Sequence, residues 1–148
     1  MNIQRANGSH IDELMVLITD FYNHFDYPFE AISHRKMIEY FLANEHLGSI
    51  WLIRTEGHSV GYIALANGFT FELGGRDAFV DEFFISEPYR NRGYGRLALQ
   101  TIFGKMDELG LVALHLMTEN YNERAKRLYE SIGFQDLKRS TLTWRPAW

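Results

Sequence analysis

The sequence predicts an α/β fold of the mixed (α+β) kind, in which a central sheet of parallel and antiparallel strands is flanked by helices. Two observations predict it: strand-like runs joined by a short turn follow two helical stripes, and strand and helix patterns alternate afterwards. The predicted order is β-α-α-β-β-β-α-β-α-β-β. The chain has 148 residues, no internal repeat and no linker-like stretch, so we expect residues 1–148 to form one domain.

The first third of the chain contains one strand pattern and two helical patterns. Residues 2–6 predict a short strand, and Ser9 is the candidate N-cap of the helix that follows. Apolar residues at helical spacing mark that helix: Leu14, Leu17, Ile18, Phe21 and Phe25. A second apolar stripe predicts a helix that ends near Asn44: Met37, Ile38, Phe41 and Leu42.

The middle of the chain predicts antiparallel strands. Residues 50–55 and 60–66 are strand-like runs joined by a short segment that contains Gly57, which indicates a hairpin. Residues 67–77 carry three glycines and are expected to form a loop. The loop leads into a fourth strand at 78–85.

The second half of the chain predicts a helix between two parallel strands. The helix begins near Gly95, and Gly110 is its expected C-terminal cap. Its apolar face consists of Leu99, Ile102, Phe103, Met106 and Leu109. Residues 111–117 form a nearly continuous apolar run, which is typical of a strand buried on both faces. Because this run follows the helix directly, we expect it to pair in parallel with the fourth strand.

The end of the chain predicts one more helix and two short closing strands. Asn122 is the candidate N-cap of the helix, and Gly133 is expected to end it. The closing strands are expected at residues 134–137 and 140–144.

Composition and charge exclude several classes of function. The chain contains no cysteine, which excludes thiolate metal sites, disulfides and a cysteine nucleophile. Its histidines show no metal-ligand spacing, so we expect no metal site. The net charge of −4 argues against broad binding to nucleic acid and gives weak support to a cationic partner. Without a secretory signal or a membrane-spanning apolar stretch, the expected location is the cytoplasm.

A glycine-containing turn between the fourth strand and its helix is the first candidate binding site: Arg90-Asn91-Arg92-Gly93-Tyr94-Gly95. At such a junction several backbone N–H groups point outward from the positive end of the helix dipole, and glycine lets a ligand approach the main chain. Arg90 and Arg92 add positive charge that suits phosphate oxygens in forked geometry. The turn therefore predicts a site for a diphosphate.

The same turn is open to two other interpretations. The spacing of Gly93, Gly95 and Ala98 also fits the dinucleotide fingerprint. That fingerprint belongs on the first strand of a doubly wound sheet, whereas here it follows a hairpin and only residues 96–148 come after it. The turn can also be a plain helix cap, although a cap does not need flanking arginines. The P-loop pattern is absent.

The turn and a second motif together resemble the GNAT superfamily of acyl-CoA-dependent N-acetyltransferases. Arg90, Gly93 and Gly95 match the signature R/Q-x-x-G-x-G/A that follows the fourth strand in that family. The second landmark is an asparagine that opens the last helix, followed by A-x-x-x-Y and a Gly-Phe pair. It is matched by Asn122, Ala125, Tyr129, Gly133 and Phe134. The resemblance covers nearly the whole chain and implies the same order of elements.

A narrower similarity is to diamine and polyamine N-acetyltransferases. In that branch a pair of acidic residues precedes two aromatic or aliphatic positions on the fourth strand, as Asp81 and Glu82 do here. The acids stand in the reverse of the branch's order, Glu then Asp, and Asn91 replaces the more common glycine. The resemblance implies a small primary amine as the acceptor, such as a polyamine or an amino-acid-like molecule.

The resemblance also implies acetyl-CoA as the cofactor and assigns residues to it. Backbone groups of Phe83 and Ile85 would pair with the pantetheine arm as a neighbouring strand does. The diphosphate would lie on the turn formed by Arg90, Asn91, Arg92, Gly93, Tyr94 and Gly95, with Arg96 adding charge. The side chain of Asn122 would bind the arm or position the thioester, or it would cap the helix, and both can hold.

For the chemistry, the resemblance implies direct attack of the amine through a tetrahedral intermediate. The Ile85 N–H would polarise the thioester carbonyl where the fourth and fifth strands separate, and Tyr129 would donate to the departing thiolate. Strand alternation puts Asp81 and Glu82 on opposite faces, so we do not expect both to act as the base. Asp81 is preferred narrowly because it matches the position of the branch's leading acid, although Glu82 has the longer reach. The alternatives are core packing for Tyr129 and a surface salt bridge for either acid.

Other functions stay open from the sequence alone. A regulatory module that binds acyl-CoA without turnover would carry the same cofactor motif, and so would an acetyltransferase for protein lysines or N-termini. His24, His34 and His46, in or near the early helices, are further candidates for acceptor-site bases. We expect a small-molecule amine as partner, with no nucleic acid and no membrane, and the sequence leaves a homodimer open.

Overall fold

A computed structural model describes residues 1–148 and contains one five-stranded sheet. The elements are β1 (Asn2–Arg5), α1 (Ile11–His24), α2 (Ala31–Ala43), β2 (Gly48–Thr55), β3 (His58–Thr70), β4 (Gly75–Ile85), α3 (Tyr94–Phe103), α4 (Met106–Leu109), β5 (Ala113–Leu116) and α5 (Glu123–Ser131). None of these helices combines the length and the apolar composition that crossing a membrane requires. The predicted order of elements is confirmed as far as the last helix, except that α3 and α4 stand where one helix was predicted.

The sheet is mixed, as predicted. Its strand order is β1-β2-β3-β4-β5, so each strand lies beside its neighbour in sequence. The first four strands pair antiparallel, and β4 pairs with β5 in parallel through the crossover that contains α3. The predicted α/β class with a mixed central sheet is therefore confirmed.

The two faces of the sheet are covered by different helices. Residues of α1 form a buried cluster with one face of β2, β3 and β4: Leu14, Leu17, Ile18 and Phe21 with Ile50, Leu52, Tyr62 and Phe84. Alternation places Trp51 on the opposite face. The Nζ of Lys105 lies 5.4 Å from the Trp51 ring, at the end of α3. Because Leu99 and Ile102 of α3 are fully buried, this second face is covered as well.

Two expectations for the first half of the chain are corrected. The side chain of Asn7, not that of Ser9, accepts an N–H, and it opens a single turn at Gly8–His10 ahead of α1. The loop expected at residues 67–77 is confined to a turn at 71–74, and the residues on either side extend the hairpin of β3 and β4, with Gly68 paired to Asp77. Glycine is a poor strand former, but the continuous ladder of backbone hydrogen bonds with the partner strand outweighs that preference here.

The predicted helix from Gly95 to Gly110 is interrupted. Its first part, α3, ends at Phe103, and α4 begins at Met106. Gly104 stands at the break, where the lack of a side chain costs a helix about 1 kcal/mol relative to alanine. The apolar stripe is thus shared between two helices.

Residues 1–117 and residues 118–148 form two compact units. In the second unit, α5 is capped by Asn122 and followed by Gly133 at φ +112°. The closing strands predicted at 134–137 and 140–144 are wrong, because residues 134–148 contain no strand. Lys138 adopts φ +57° and donates its N–H to the Asp136 carboxylate, which makes a turn between the expected strands. The expectation of one domain over 1–148 stays a prediction.

Candidate active site

The pairing of β4 changes on both of its sides at residues 80–82. Toward β3, Val80 pairs with Leu65 and Glu82 with Ala64, so Asp81 is an extra, bulged residue. Toward β5, the parallel pairing ends at Val80. Residues 81–85 therefore have β3 on one side and no β5 partner on the other. The predicted role of the Ile85 N–H, polarising the thioester carbonyl, depends on this end of the pairing between β4 and β5.

The bulge decides which face the two acids take. Glu82 and Phe84 follow the bulge and lie on the face of β3 that carries Ala64 and Tyr62, which is the face covered by α1. The cross-strand neighbour of Glu82 is Ala64, a small residue that leaves room for a carboxylate above the sheet. Asp81, which is the acid preferred from the sequence, is exposed in the bulge.

The Glu82 carboxylate is held by two phenols. The Tyr22 hydroxyl donates to Oε1 at 2.6 Å, and the Tyr62 hydroxyl donates to Oε2 at 2.7 Å. Burial raises the pKa of Glu82, although the two phenol hydrogen bonds and the nearby His34 act in the opposite direction. Burial, together with the Glu82 carboxylate, raises the pKa of both tyrosines, so the phenols stay protonated and keep donating.

Aromatic side chains surround the outer side of Tyr22. They come from the end of α1, the segment after it and the start of α2: Phe21, Tyr27, Phe29 and His34, with ring centroids 4.8–6.0 Å from that of Tyr22. Of the three histidines considered, His34 is the one in this group, and its Nδ1 lies 2.9 Å from the Glu30 carbonyl oxygen. His24 and His46 are exposed. The cluster forms an apolar wall beside a buried acid.

Sequence reasoning missed the partners of Glu82. Tyr22 stands next to the apolar stripe of α1, and Tyr62 alternates along β3, so neither position differs from ordinary packing in the sequence. The prediction assumed that successive side chains of β4 alternate between the two faces of the sheet. The bulge at Asp81 reverses this alternation, and the residue type at position 81 gives no sign of a bulge. Only the three-dimensional pairing brings these side chains together.

The turn after β4 has the geometry of an anion site. Asn91 and Gly93 adopt φ +61° and +80°, and α3 begins at Tyr94 with Gly93 as its N-cap. Glycine offers no capping side chain, so the first N–H groups of α3 are not satisfied by it. Backbone donors at the positive end of a helix suit a phosphate group. The structure thus fits the diphosphate predicted for this turn.

Arg90 and Arg92 are held against aromatic rings beside the turn. The Nε of Arg90 donates to the Ile85 carbonyl oxygen at 2.7 Å, and its guanidinium carbon lies 5.4 Å from the Phe84 ring centroid. Arg92 lies over the Tyr89 ring at 5.6 Å. Arg90 therefore braces the last residue of β4, which leaves its two Nη groups for a ligand.

The other residues assigned to the cofactor lie along the same path. A methyl group on Gly95 would come within 3.2 Å of the Phe83 ring, so the missing side chain lets β4 and the first turn of α3 pack closely. Tyr94 is half-buried, with its ring 6.4 Å from that of Tyr89, and Arg96 is exposed on the first turn of α3. The segment from Phe83 to Arg96 forms a continuous surface of strand edge and turn.

Asn122 and Tyr129 belong to the second compact unit. The Asn122 Oδ1 accepts the Ala125 N–H at 3.2 Å, so the predicted helix cap is confirmed. Tyr129 is half-buried, its ring lies edge-on to Phe134 at 5.9 Å, and burial raises its pKa. A phenol with a raised pKa keeps its proton and can serve as a hydrogen-bond donor.

The fold is that of an acetyltransferase of the GNAT type. Residues 12–134 match the family model for the acetyltransferase (GNAT) family. The chain belongs to this family, whose members use acetyl-CoA.

Two curated relatives of this chain are named as N-acetyltransferases of small molecules. The D-amino-acid N-acetyltransferase HPA3 of Saccharomyces cerevisiae is 27% identical over 79 residues, which is 53% of this chain and 49% of that protein. The L-ornithine N5-acetyltransferase NATA1 of Arabidopsis thaliana is 26% identical over 53% of this chain and 34% of its own. The matched segments thus span less than half the length of these relatives.

Solved structures match almost the whole chain. An integron cassette protein, HFX_CASS3, from the mobile metagenome of Cole Harbour Salt Marsh is 32% identical, with a TM-score of 0.87 over 98% of this chain and 90% of that one. The aminoglycoside acetyltransferase AAC(6')-Iy, solved with a CoA bisubstrate analogue, has a TM-score of 0.82 over 97% of both chains. At 15% identity the second match shows the fold alone.

Proposed function

We propose that this chain transfers the acetyl group of acetyl-CoA directly to a primary amine of a small molecule. The proposal rests on Glu82, a partly buried carboxylate that accepts hydrogen bonds from two phenols. Glu82 lies on the stretch of β4 that has no β5 partner. A base, an open strand edge and an anion-binding turn follow one another within residues 82–95. These are the parts that N-acetyl transfer needs.

Glu82, rather than Asp81, is the base in this proposal. An amine attacks only as the free base, so its ammonium form must lose a proton first. Burial raises the pKa of Glu82 toward the pH at which a general base works best, and its position is fixed. Asp81 is exposed beside it and contributes negative charge that attracts a cationic acceptor.

The cofactor would lie along β4 and the turn that follows it. Acetyl-CoA supplies the activated acetyl thioester when it is bound. Backbone groups of Phe83 and Ile85 would pair with its amides, and the hydrogen bond from Arg90 to the Ile85 carbonyl fixes the orientation of that end of the strand. The α3 N-terminus, the Nη groups of Arg90, and Arg92 and Arg96 would hold its phosphates.

Tyr129 and Asn122 take supporting roles in the proposal. The Tyr129 phenol would donate a proton or hydrogen bond to the departing sulfur, since its raised pKa keeps it protonated. Asn122 would contact the pantetheine arm with its amide nitrogen, because its Oδ1 is already used by the helix cap. The chain contains no cysteine, so the acetyl group cannot be carried on a thiol of the protein before it reaches the amine.

A small-molecule acceptor is supported by the names of relatives. HPA3 is named for D-amino acids and NATA1 for L-ornithine, both of which are small molecules with an amino group. The aromatic wall around Tyr22 and the acids on β4 suit an acceptor with a cationic amine and apolar carbon atoms.

The test is release of free thiol from acetyl-CoA in the presence of a panel of amines, with the acetylated products identified by mass spectrometry. The panel contains polyamines, D- and L-amino acids, arylalkylamines and a lysine peptide. We expect thiol release with at least one small amine. Binding of acetyl-CoA without release for any acceptor would contradict the proposal and favour a binding module, and release with the peptide alone would move the substrate to proteins.

A further inference from the structure

The two tyrosines that donate hydrogen bonds to Glu82 differ in how far they are buried. Tyr62 has no exposed surface, and its ring lies in the core 6.2 Å from Phe21 and 6.3 Å from Phe84. Tyr22, in contrast, is half-buried and keeps part of its surface exposed. Both oxygens of Glu82 already accept a phenol hydrogen bond. Of the two phenols bonded to Glu82, Tyr22 is therefore the one that an acceptor can approach.

We propose that Tyr22 relays the proton of the acceptor's ammonium group to Glu82. In this step an N–H bond of the ammonium breaks and an O–H bond forms at the Tyr22 oxygen. At the same time the original O–H bond of Tyr22 breaks and its proton passes to Oε1 of Glu82, 2.6 Å away. The products are a neutral amine, an unchanged tyrosine and a protonated Glu82, so charge and atoms balance. This inference rests on the proposed function.

The concerted form of the step follows from the chemistry of the phenol. Both burial and the adjacent carboxylate oppose a phenolate at Tyr22, so the phenol cannot lose its proton before it gains one. The aromatic rings of Tyr27 and Phe29 on the outer side of Tyr22 hold it in place. Tyr62 makes the same kind of hydrogen bond but lies in the core, and its role is to position the carboxylate.

The chain offers a matched pair of variants for the test. Tyr22→Phe and Tyr62→Phe each remove one phenol hydrogen bond from Glu82 and keep the ring. Both are measured on two acceptors: the amine found in the thiol-release panel, and a fluorinated analogue whose nitrogen is already neutral at the assay pH. Acetyl-CoA affinity and the melting temperature are measured for each variant to show that the fold is intact.

A relay through Tyr22 predicts a result that depends on the acceptor. Tyr22→Phe should lower kcat/KM for the ordinary amine at least about tenfold, which is a modest share of the rate effect of a general base. The kcat/KM for the neutral analogue should stay nearly the same. Tyr62→Phe leaves the relay phenol in place, so it should lower kcat/KM for the ordinary amine less than Tyr22→Phe does. Equal losses of Tyr22→Phe on both acceptors, or wild-type rates on both, would overturn the relay.

Two further measurements separate failure of the relay from failure of the proposed function. If the wild-type chain releases no thiol with any amine, the proposed function itself is wrong. If Tyr22→Phe does not fold, the rate of the wild-type chain is measured in mixtures of light and heavy water. Two protons in flight predict a curved dependence on the deuterium fraction, and a straight line would overturn the relay.

Discussion

Among the individual residues, Glu82 combines features that a surface carboxylate does not have. It is partly buried, its two oxygens accept from Tyr22 and Tyr62, and the small Ala64 lies across from it. Its neighbour Asp81 has the same charge but is exposed. Burial raises the pKa of Glu82, and two adjacent acids with such different surroundings are expected to differ in function.

The pH dependence of kcat/KM follows from the pKa of Glu82. The base must be ionised to work, and burial raises its pKa, so we expect the acidic limb of the profile to lie above the ordinary range of a glutamate. Tyr62→Phe removes a hydrogen bond that lowers this pKa and should move the limb to higher pH. A limb at the ordinary glutamate value that Tyr62→Phe leaves in place would contradict the assignment.

The raised pKa of Glu82 also predicts an effect on stability. Between the unfolded and the folded pKa of this group, the native state binds more protons than the unfolded state, so stability falls as the pH rises through this window. Glu82→Gln removes this loss and should increase the free energy of unfolding at neutral pH relative to pH 4. Urea unfolding at the two pH values measures it, with Asp81→Asn as the matched control. A constant difference between Glu82→Gln and wild type at both pH values would count against burial as the cause.

At the level of the elements, the end of β4 and the start of α3 build most of the candidate site. The bulge at Asp81 turns Glu82 toward α1, and the loss of the β5 partner opens the strand edge at 81–85. Arg90 then ties the following segment to the Ile85 carbonyl, and Gly93 opens α3 in a left-handed conformation. The proposed base and the proposed anion site thus lie on one continuous piece of chain.

Gly93→Ala tests the geometry of this turn. Gly93 has φ +80°, and a methyl group at this position would meet no neighbouring atom, so the cost is conformational. We expect a loss of about 1–2 kcal/mol in the free energy of unfolding. The affinity for acetyl-CoA should fall as well, because the first N–H groups of α3 change direction. Gly8→Ala, also in open space but without a positive φ, is the control. Equal effects of the two variants would show that the left-handed turn is not needed.

The sequence predicted the elements that follow from local patterns. Helical stripes indicated α1 and α2, and the Arg90 to Gly95 motif located the glycine turn that opens α3, because spacing and glycine carry that information. It did not predict the bulge at Asp81, the hairpin extension over residues 67–77 or the absent closing strands. Each of these depends on which segments pair in space, and the strand patterns do not fix that choice.

At the level of the whole molecule, the acidic and the basic residues of the candidate site lie on different segments of the chain. The net charge is −4, and Asp81 and Glu82 are adjacent on β4, where we propose that the acceptor binds. Arg90, Arg92 and Arg96 lie at the turn proposed for the phosphates. Such a distribution can attract a cationic acceptor and a polyanionic cofactor to neighbouring regions of one surface.

Cofactor binding should therefore stabilise the whole molecule. A ligand that binds only the native state at about 100 times its Kd adds about 2.7 kcal/mol, and thermal unfolding with acetyl-CoA measures it. Arg92→Ala should reduce this gain for acetyl-CoA but not for a pantetheine fragment that lacks the diphosphate. Arg5→Ala, which removes another arginine packed over an aromatic ring, is the control. Equal losses for both ligands would argue against contact of Arg92 with the diphosphate.

Glu82 is proposed as the base for acetyl transfer to a small amine. The most direct measurement is thiol release from acetyl-CoA by the wild-type chain, Glu82→Gln and Asp81→Asn, each with the best amine of the panel. We predict turnover by the wild-type chain, a loss of about 10²-fold or more in Glu82→Gln, and a much smaller loss in Asp81→Asn. Full activity of Glu82→Gln, or a larger loss in Asp81→Asn, would contradict the claim.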